Sequence, residues 1–219
     1  MSNQKKKKII LVTPTGVAIY PHLQEPNTRF DADGRYEVRM RWPTEVIQPI
    51  VDKVDKMIAE FHTETFKDDK KKAKTIPKDS PFKAVLDDDG EETGETECKF
   101  SLRATIGWKD KTTGERKGRK QRPTVVDAKR KETKVSPYSG SEMKVAFEPK
   151  PGYWTGQSKV SASLNLEGVQ IIKLVEGSGR SIDDLGFDDE DGFYDDEFDG
   201  SSDTVTDDTS SDVEDDADF

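Results

Sequence analysis

A small antiparallel β-barrel with one inserted amphipathic helix, followed by a disordered acidic tail, is the mainly β fold that this 219-residue sequence predicts. Three observations point to it. Short apolar/polar alternations recur along the chain, only one segment carries a helical period, and no βαβ rhythm suggests a parallel sheet. The charge is also divided: residues 181–219 hold 18 of the 45 acids and no Lys or Arg, which leaves 35 bases against 27 acids in residues 1–180. A body of +8 therefore precedes a tail of −18. A self-repelling segment with so few aliphatics cannot offset its chain entropy by burial, so residues 1–178 are expected to fold and 179–219 to remain disordered.

The elements follow in order. Ile9–Val12 is the first apolar segment, and the Pro- and Asn-containing stretch after it reads as a loop to Asp33-Gly34. In Arg35–Trp42 the even positions are apolar and the odd ones charged, the period of a half-buried strand with three arginines on its open face; Pro43 closes it. From Pro49 onward Ile50, Val51, Val54, Met57, Ile58 and Phe61 recur at helical spacing, with the proline in the first turn. The charged stretch 68–81, with Lys70, Lys71, Lys72 and Lys74, reads as a surface loop, and 87–97 as an acidic one. Phe100, Leu102, Ala104 and Ile106 alternate up to Gly107-Trp108. Turn composition at 109–115, a basic run at 116–122 and the apolar Val125-Val126 suggest a hairpin with a very basic tip. Met143, Val145 and Phe147 alternate next, 149–156 reads as a turn, Val160 to Leu166 alternate again, and Val169–Val175 closes the domain before the Gly177-Ser178-Gly179 linker.

Several classes of function fall away. No apolar run has the roughly 18 to 20 residues of a bilayer crossing, and after Lys5–Lys8 only Ile9–Val12 is hydrophobic, so neither a membrane nor a secreted protein is expected. The single Cys98 allows no internal disulfide or multi-Cys zinc site and fits a reducing compartment. His22 and His62 stand alone, no phosphate-binding glycine loop exists, and the acid–glycine clusters place Val85 and Phe187 where a calcium loop needs its first ligand. No enzyme, no metal and no cofactor is expected.

The positive chemistry lies between Lys99 and Lys134, where 13 Lys or Arg face four acids. Such a density repels itself unless phosphates neutralise it and release their condensed counterions. Trp42, Trp108, Tyr138, Tyr153 and Trp154 fall at strand ends or in turns near Lys or Arg. Flat aromatic rings in a cationic groove suit single strands, because every base offers a π-face. Trp42 and Trp108 also continue the apolar phase of their strands, so core packing competes with stacking for those two. The tail imitates a polyanion and ends with Asp215, Asp216 and Asp218 around Phe219, an aromatic anchor suited to an apolar pocket with a basic rim.

These residues resemble the OB-fold single-stranded DNA-binding proteins of tailed bacteriophages. The resemblance rests on Gly34-Arg35-Tyr36-Glu37-Val38, Val51-Asp52-Lys53-Val54, 108–115 leading to Val125-Val126-Asp127, Ser141–Val145, Pro151-Gly152-Tyr153-Trp154 and Asp216–Phe219. It implies a five-stranded OB barrel, sequence-independent binding of single-stranded DNA in replication and recombination, strand annealing, and a homodimer in the host bacterial cytoplasm. It also implies a tail that contacts the replicative polymerase and the helicase-primase. The DNA face it implies includes Arg35, Trp108, Lys109, Lys111, Tyr153 and Trp154. Charge alone adds Arg39, Arg116, Lys117, Arg119, Lys120, Arg122 and Lys159. An assembly or chaperone protein whose basic body binds a protein is the alternative.

Overall fold

The computed structural model describes residues 8–175 except 30, 110, 111, 113 and 115; the tail expected at 179–219 lies outside the described residues. In chain order the elements are β1 (Leu11–Val12), β2 (Gly16–Asn27), β3 (Arg35–Pro43), α1 (Thr44–Thr65), α2 (Lys70–Thr75), β4 (Lys83–Leu86), β5 (Glu92–Arg103), β6 (Thr105–Lys109), β7 (Arg116–Lys120), β8 (Thr124–Val126), β9 (Glu142–Trp154) and β10 (Lys159–Lys173).

Five strands close a ring in the order β2-β3-β5-β10-β9, with β9 returning to β2. The expected antiparallel arrangement needs one amendment. The β10–β5 joint, at Asn165 opposite Ser101, is parallel, because a ring of five strands cannot alternate direction at every joint. Around this ring, β1 pairs with β9, β4 with β5, and β8 runs parallel to β10.

Alternation delivers the core. Tyr36, Val38, Met40 and Trp42 point inward from β3, Met143, Val145 and Phe147 from β9, and Val160, Ala162, Leu164 and Leu166 from β10. Trp42 meets Phe100 edge-on with ring centres 6.3 Å apart, and Phe100 meets Phe147 at 4.9 Å. Each such aromatic pair adds about 0.5 to 1.5 kcal/mol beyond its buried area. The Trp42 indole N–H donates to the Pro14 carbonyl at 3.1 Å, and its ring lies so close to Gly16 that a Cβ there would stand 2.1 Å from the indole nitrogen. The stripe Ile47, Ile50, Val54, Ile58 and His62 of α1 joins the same core.

Five local expectations are corrected. The stretch read as a loop before Gly34 contains the long strand β2, hidden by Pro21 and Pro26, which sit where its pairing with β3 shifts register. Helix α1 begins at Thr44 rather than Pro49; a proline this close to the N-terminus forgoes one hydrogen bond, and Ile47 extends the buried stripe upstream. Within 68–81, Asp69 caps α2 by accepting the Lys72 backbone N–H at 3.0 Å, so Lys70–Thr75 is helical. The segment 149–156 is not a turn, since β9 runs on to Trp154. Val145 exchanges its hydrogen bonds with Thr13 on the side away from β10, and by alternation Pro149 and Pro151 face that same side, past the end of β1, where no strand needs their N–H.

The acidic loop contracts for a related reason. Only 87–91 turns, while Glu92, Glu95 and Glu97 belong to β5, where Glu95 and Glu97 meet arginines of β3.

Candidate nucleic-acid interface

The basic segment folds as a separate two-stranded ribbon, β6 against β7, and its cations are carried along the returning strand. Trp108 stands opposite Lys117, Ile106 opposite Arg119 and Thr105 opposite Lys120. Because side chains alternate across a strand, Ile106, Trp108, Lys117 and Arg119 share one face of the ribbon. Ile106 is 42% exposed and Trp108 48%, so this face offers an aromatic ring and an aliphatic side chain between two cations. At its middle Gly107 stands opposite Gly118, leaving backbone bare of side chains.

A lone two-stranded ribbon is marginal in water, and this one is fixed at its base. The Ala104 N–H donates to the Gly34 carbonyl at 2.9 Å, the Gln121 N–H to the Ala104 carbonyl at 2.9 Å, and the Gln121 side-chain amide to the Arg103 carbonyl at 2.8 Å. The same base holds Arg35 directly opposite Arg103 on the neighbouring strands. Two like charges in that register oppose each other, and an anion between them removes the cost. One ion pair, to Asp31 at 3.3 Å, relieves Arg35.

The remaining candidates divide by their surroundings. Arg39 lies on the outer face of β3 in a checkerboard of charge: its guanidinium donates to Glu97 at 2.9 Å, Arg41 pairs with Glu95 and Glu97, and Lys99 pairs with Glu37. Burial pushes the Glu37 carboxyl up, but hydrogen bonds from Lys99 and Asn27 outweigh it and hold the group below its usual range. Lys159 is pinned to Asp79 at 2.7 Å, and hydrogen bonds from Lys159 and Lys83 keep that carboxyl low as well. Tyr153 turns inward and meets the Phe66 ring edge-on at 5.3 Å. Trp154, one residue later, points outward opposite Lys159, and its ring covers Gly152, whose Cβ position it approaches to 3.5 Å. Of the two tryptophans left open between core and surface, Trp42 is core, at 1% exposure, and Trp108 is surface.

Arg119, Lys120 and Arg122 are exposed and have no acidic partner among the described residues. The Lys109 and Arg116 backbones pair in register near the ribbon tip. Lys111 and the tail residues Asp215, Asp216, Asp218 and Phe219 lie outside the described residues. Cys98 is buried, and burial together with the Glu97 charge pushes its thiol well up, which removes it as a nucleophile at neutral pH.

Two residues escaped the sequence reading of the site. Arg103 looked like one more polar position in an alternating strand, and only the β3–β5 register sets it against Arg35. Tyr20, 77% exposed, lies in the stretch read as a loop; the neighbouring Pro21 was the available signal that regular pairing breaks there.

Residues 16–174 match the family of the single-stranded DNA-binding protein of bacteriophage T7. Among solved structures, gp2.5, a single-stranded DNA-binding protein encoded by bacteriophage T7, is 27% identical, with 86% of this chain and 100% of that one aligned at a TM-score of 0.63. The single-stranded DNA-binding protein of bacteriophage Enc34 shares the fold in two forms. A C-terminal truncation is 16% identical, aligned over 76% of this chain and 87% of that one at a TM-score of 0.53. A complex with single-stranded DNA is 20% identical, over 78% and 89%, at 0.50. No curated protein matches the chain. The aligned span runs from the start of β2 to the end of β10 and so takes in the closed ring, the helix and the cationic ribbon: the chain belongs to the bacteriophage T7 family of single-stranded DNA-binding proteins, with an OB-like fold.

Proposed function

We propose that the protein binds single-stranded DNA without sequence preference, with the β6–β7 ribbon as its main contact surface. The observation that carries this is the ribbon face on which Trp108 and Ile106 stand opposite Lys117 and Arg119. Phosphates are held by the cations and bases stack on the indole, a combination indifferent to base identity. Arg35, Arg103 and Arg122 extend the cationic track at the ribbon base, and Trp154 offers a second outward ring. Arg39 and Lys159 contribute after their ion pairs with Glu97 and Asp79 open, and Lys109, Lys111 and Arg116 are further phosphate contacts in this reading. Tyr153 packs against Phe66 and so holds the end of β9 that carries Trp154.

In this reading residues 1–178 are the DNA-binding domain of a homodimer that serves phage DNA replication, recombination and annealing in the host bacterial cytoplasm, without catalysis of its own. The segment 179–219 competes with DNA for the cationic track through its charge. Asp215, Asp216, Asp218 and Phe219 dock the replicative polymerase and the helicase-primase.

The deciding measurement is equilibrium binding of the full chain to a labelled single-stranded oligonucleotide and to the same sequence as duplex. Tight, salt-sensitive binding to the single strand and much weaker binding to the duplex is expected; equal affinity for both, or none for either, removes the proposal.

A further inference from the structure

We propose that a groove between β2 and residues 136–139 is a further base-stacking subsite, in which Tyr20 and Tyr138 receive nucleobases of the single strand after it leaves the ribbon. This rests on the single-strand-binding reading above. The groove exists because β2 bulges. Ile19 pairs with Arg39 and His22 with Glu37, so Tyr20 and Pro21 together stand opposite the single Val38. The extra residue turns Tyr20 outward with φ at +48°, a left-handed conformation uncommon for a bulky side chain.

The surroundings hold that conformation in place. The Tyr20 backbone N–H donates to Ser139 Oγ at 2.9 Å, the Gly140 N–H to the Ala18 carbonyl at 2.9 Å, and the Ala18 N–H to the Ser141 carbonyl at 2.8 Å. On the other wall, the Tyr138 N–H donates to the Val175 carbonyl at 3.0 Å. Two tyrosines, 77% and 55% exposed, thus stand on fixed backbone beside a 330 Å³ groove that Pro21 and Pro137 also line. Strain held at an exposed aromatic is a recurrent mark of a ligand contact.

Charge decides which part of the nucleic acid fits. Among the described residues the groove is lined by His22 and Glu25 and by no Lys or Arg, so it offers phosphate neither an ammonium nor a guanidinium and accepts a neutral ring. At Gln24, whose amide donates to the Thr133 and Val135 carbonyls, it meets a second groove of 420 Å³ where the two cations Arg122 and Lys134 outnumber the one acid, Glu132. Arg122 follows the ribbon base directly in the chain. A single strand leaving the ribbon therefore meets cations for its phosphates first and tyrosines for its bases next.

The test compares oligo-dT of about 6 and about 16 nucleotides, which bracket much of the range of site sizes of OB folds, on the full-length protein. Variants are Tyr20→Ala, Tyr138→Ala, Tyr20→Phe and Tyr20→Asn; the last lacks the ring but tolerates the left-handed backbone. Removing either ring is expected to weaken the longer oligonucleotide by about tenfold, leave the shorter unchanged, and do so equally at low and high salt, while Tyr20→Phe binds as the parent does. Unchanged binding of the longer oligonucleotide overturns the subsite, as does equal loss on both lengths or a loss in Tyr20→Ala that Tyr20→Asn does not share. If the unmodified protein binds neither oligonucleotide, the underlying function fails instead, and the two failures are distinct.

Discussion

Replacing Arg119, Lys120 and Arg122 together by glutamine tests the ribbon as a phosphate track. The three side chains are exposed and make no ion pair with another described residue, so their removal is expected to shift stability by no more than about 0.5 kcal/mol. Each phosphate neutralised on a single strand contributes about −0.7 to the slope of log K against log salt, so the triple variant should lose roughly 2 from that slope. Between about 50 and about 200 mM salt those three contacts alone account for about an 18-fold fall in affinity for the parent protein, and the variant should lack that part of the fall. The assay is fluorescence anisotropy of a labelled oligo-dT titrated at four or more salt concentrations, with thermal unfolding measured in parallel. An unchanged slope refutes the reasoning and assigns the three cations to solvation of the ribbon. A shallower slope accompanied by a large drop in the unfolding midpoint refutes it differently, by making the residues structural.

Further expectations concern aromatic rings, packing, pH and the tail. Trp108→Ala and Trp154→Ala should each weaken single-strand binding by about 1 to 3 kcal/mol with little change in thermal midpoint, whereas Tyr153→Ala, which removes the contact with Phe66, should lower stability by about 1 to 3 kcal/mol. Gly16→Ala forces a methyl group into the Trp42 ring and should destabilise by at least about 1 to 3 kcal/mol in a denaturant titration; an unaltered midpoint would show that the start of β2 moves freely. Asp79 has its carboxyl held low by Lys159 and Lys83, so its contribution to stability is present above the unfolded value of 3.8 and is lost as pH falls through the lower folded value. Asp79→Asn should therefore flatten the stability–pH curve below about pH 4, and an identical curve would detach the group from acid unfolding. Truncation after Arg180 should tighten single-strand binding most at low salt, while deletion of Phe219 alone should leave DNA affinity nearly unchanged and abolish capture of a replicative polymerase or helicase; the tail reading is falsified if either deletion lacks its effect.

Much of the architecture is legible from period alone. Arg35–Trp42, 99–104, 143–147 and 160–166 alternate because each strand presents one face to a shared core, and that pattern is written within each segment. The stripe of α1 and the separation of −18 from +8 are likewise properties of contiguous chain. Tertiary structure alone decided which charged and aromatic residues remain available. Arg39 and Arg119 look equivalent in sequence, yet Glu97 lies 58 residues from Arg39 and reaches it only through the β3–β5 register. Tyr153 and Trp154 are neighbours, and the parity of β9 sends one to Phe66 and the other outward. Strand β2, with its bulge at Tyr20, was hidden because prolines read locally as turns and are tolerated only where the partner strand shifts register. Ring closure depends on pairings between segments far apart in the chain, and local periodicity carries no record of which partner each exposed side chain will meet.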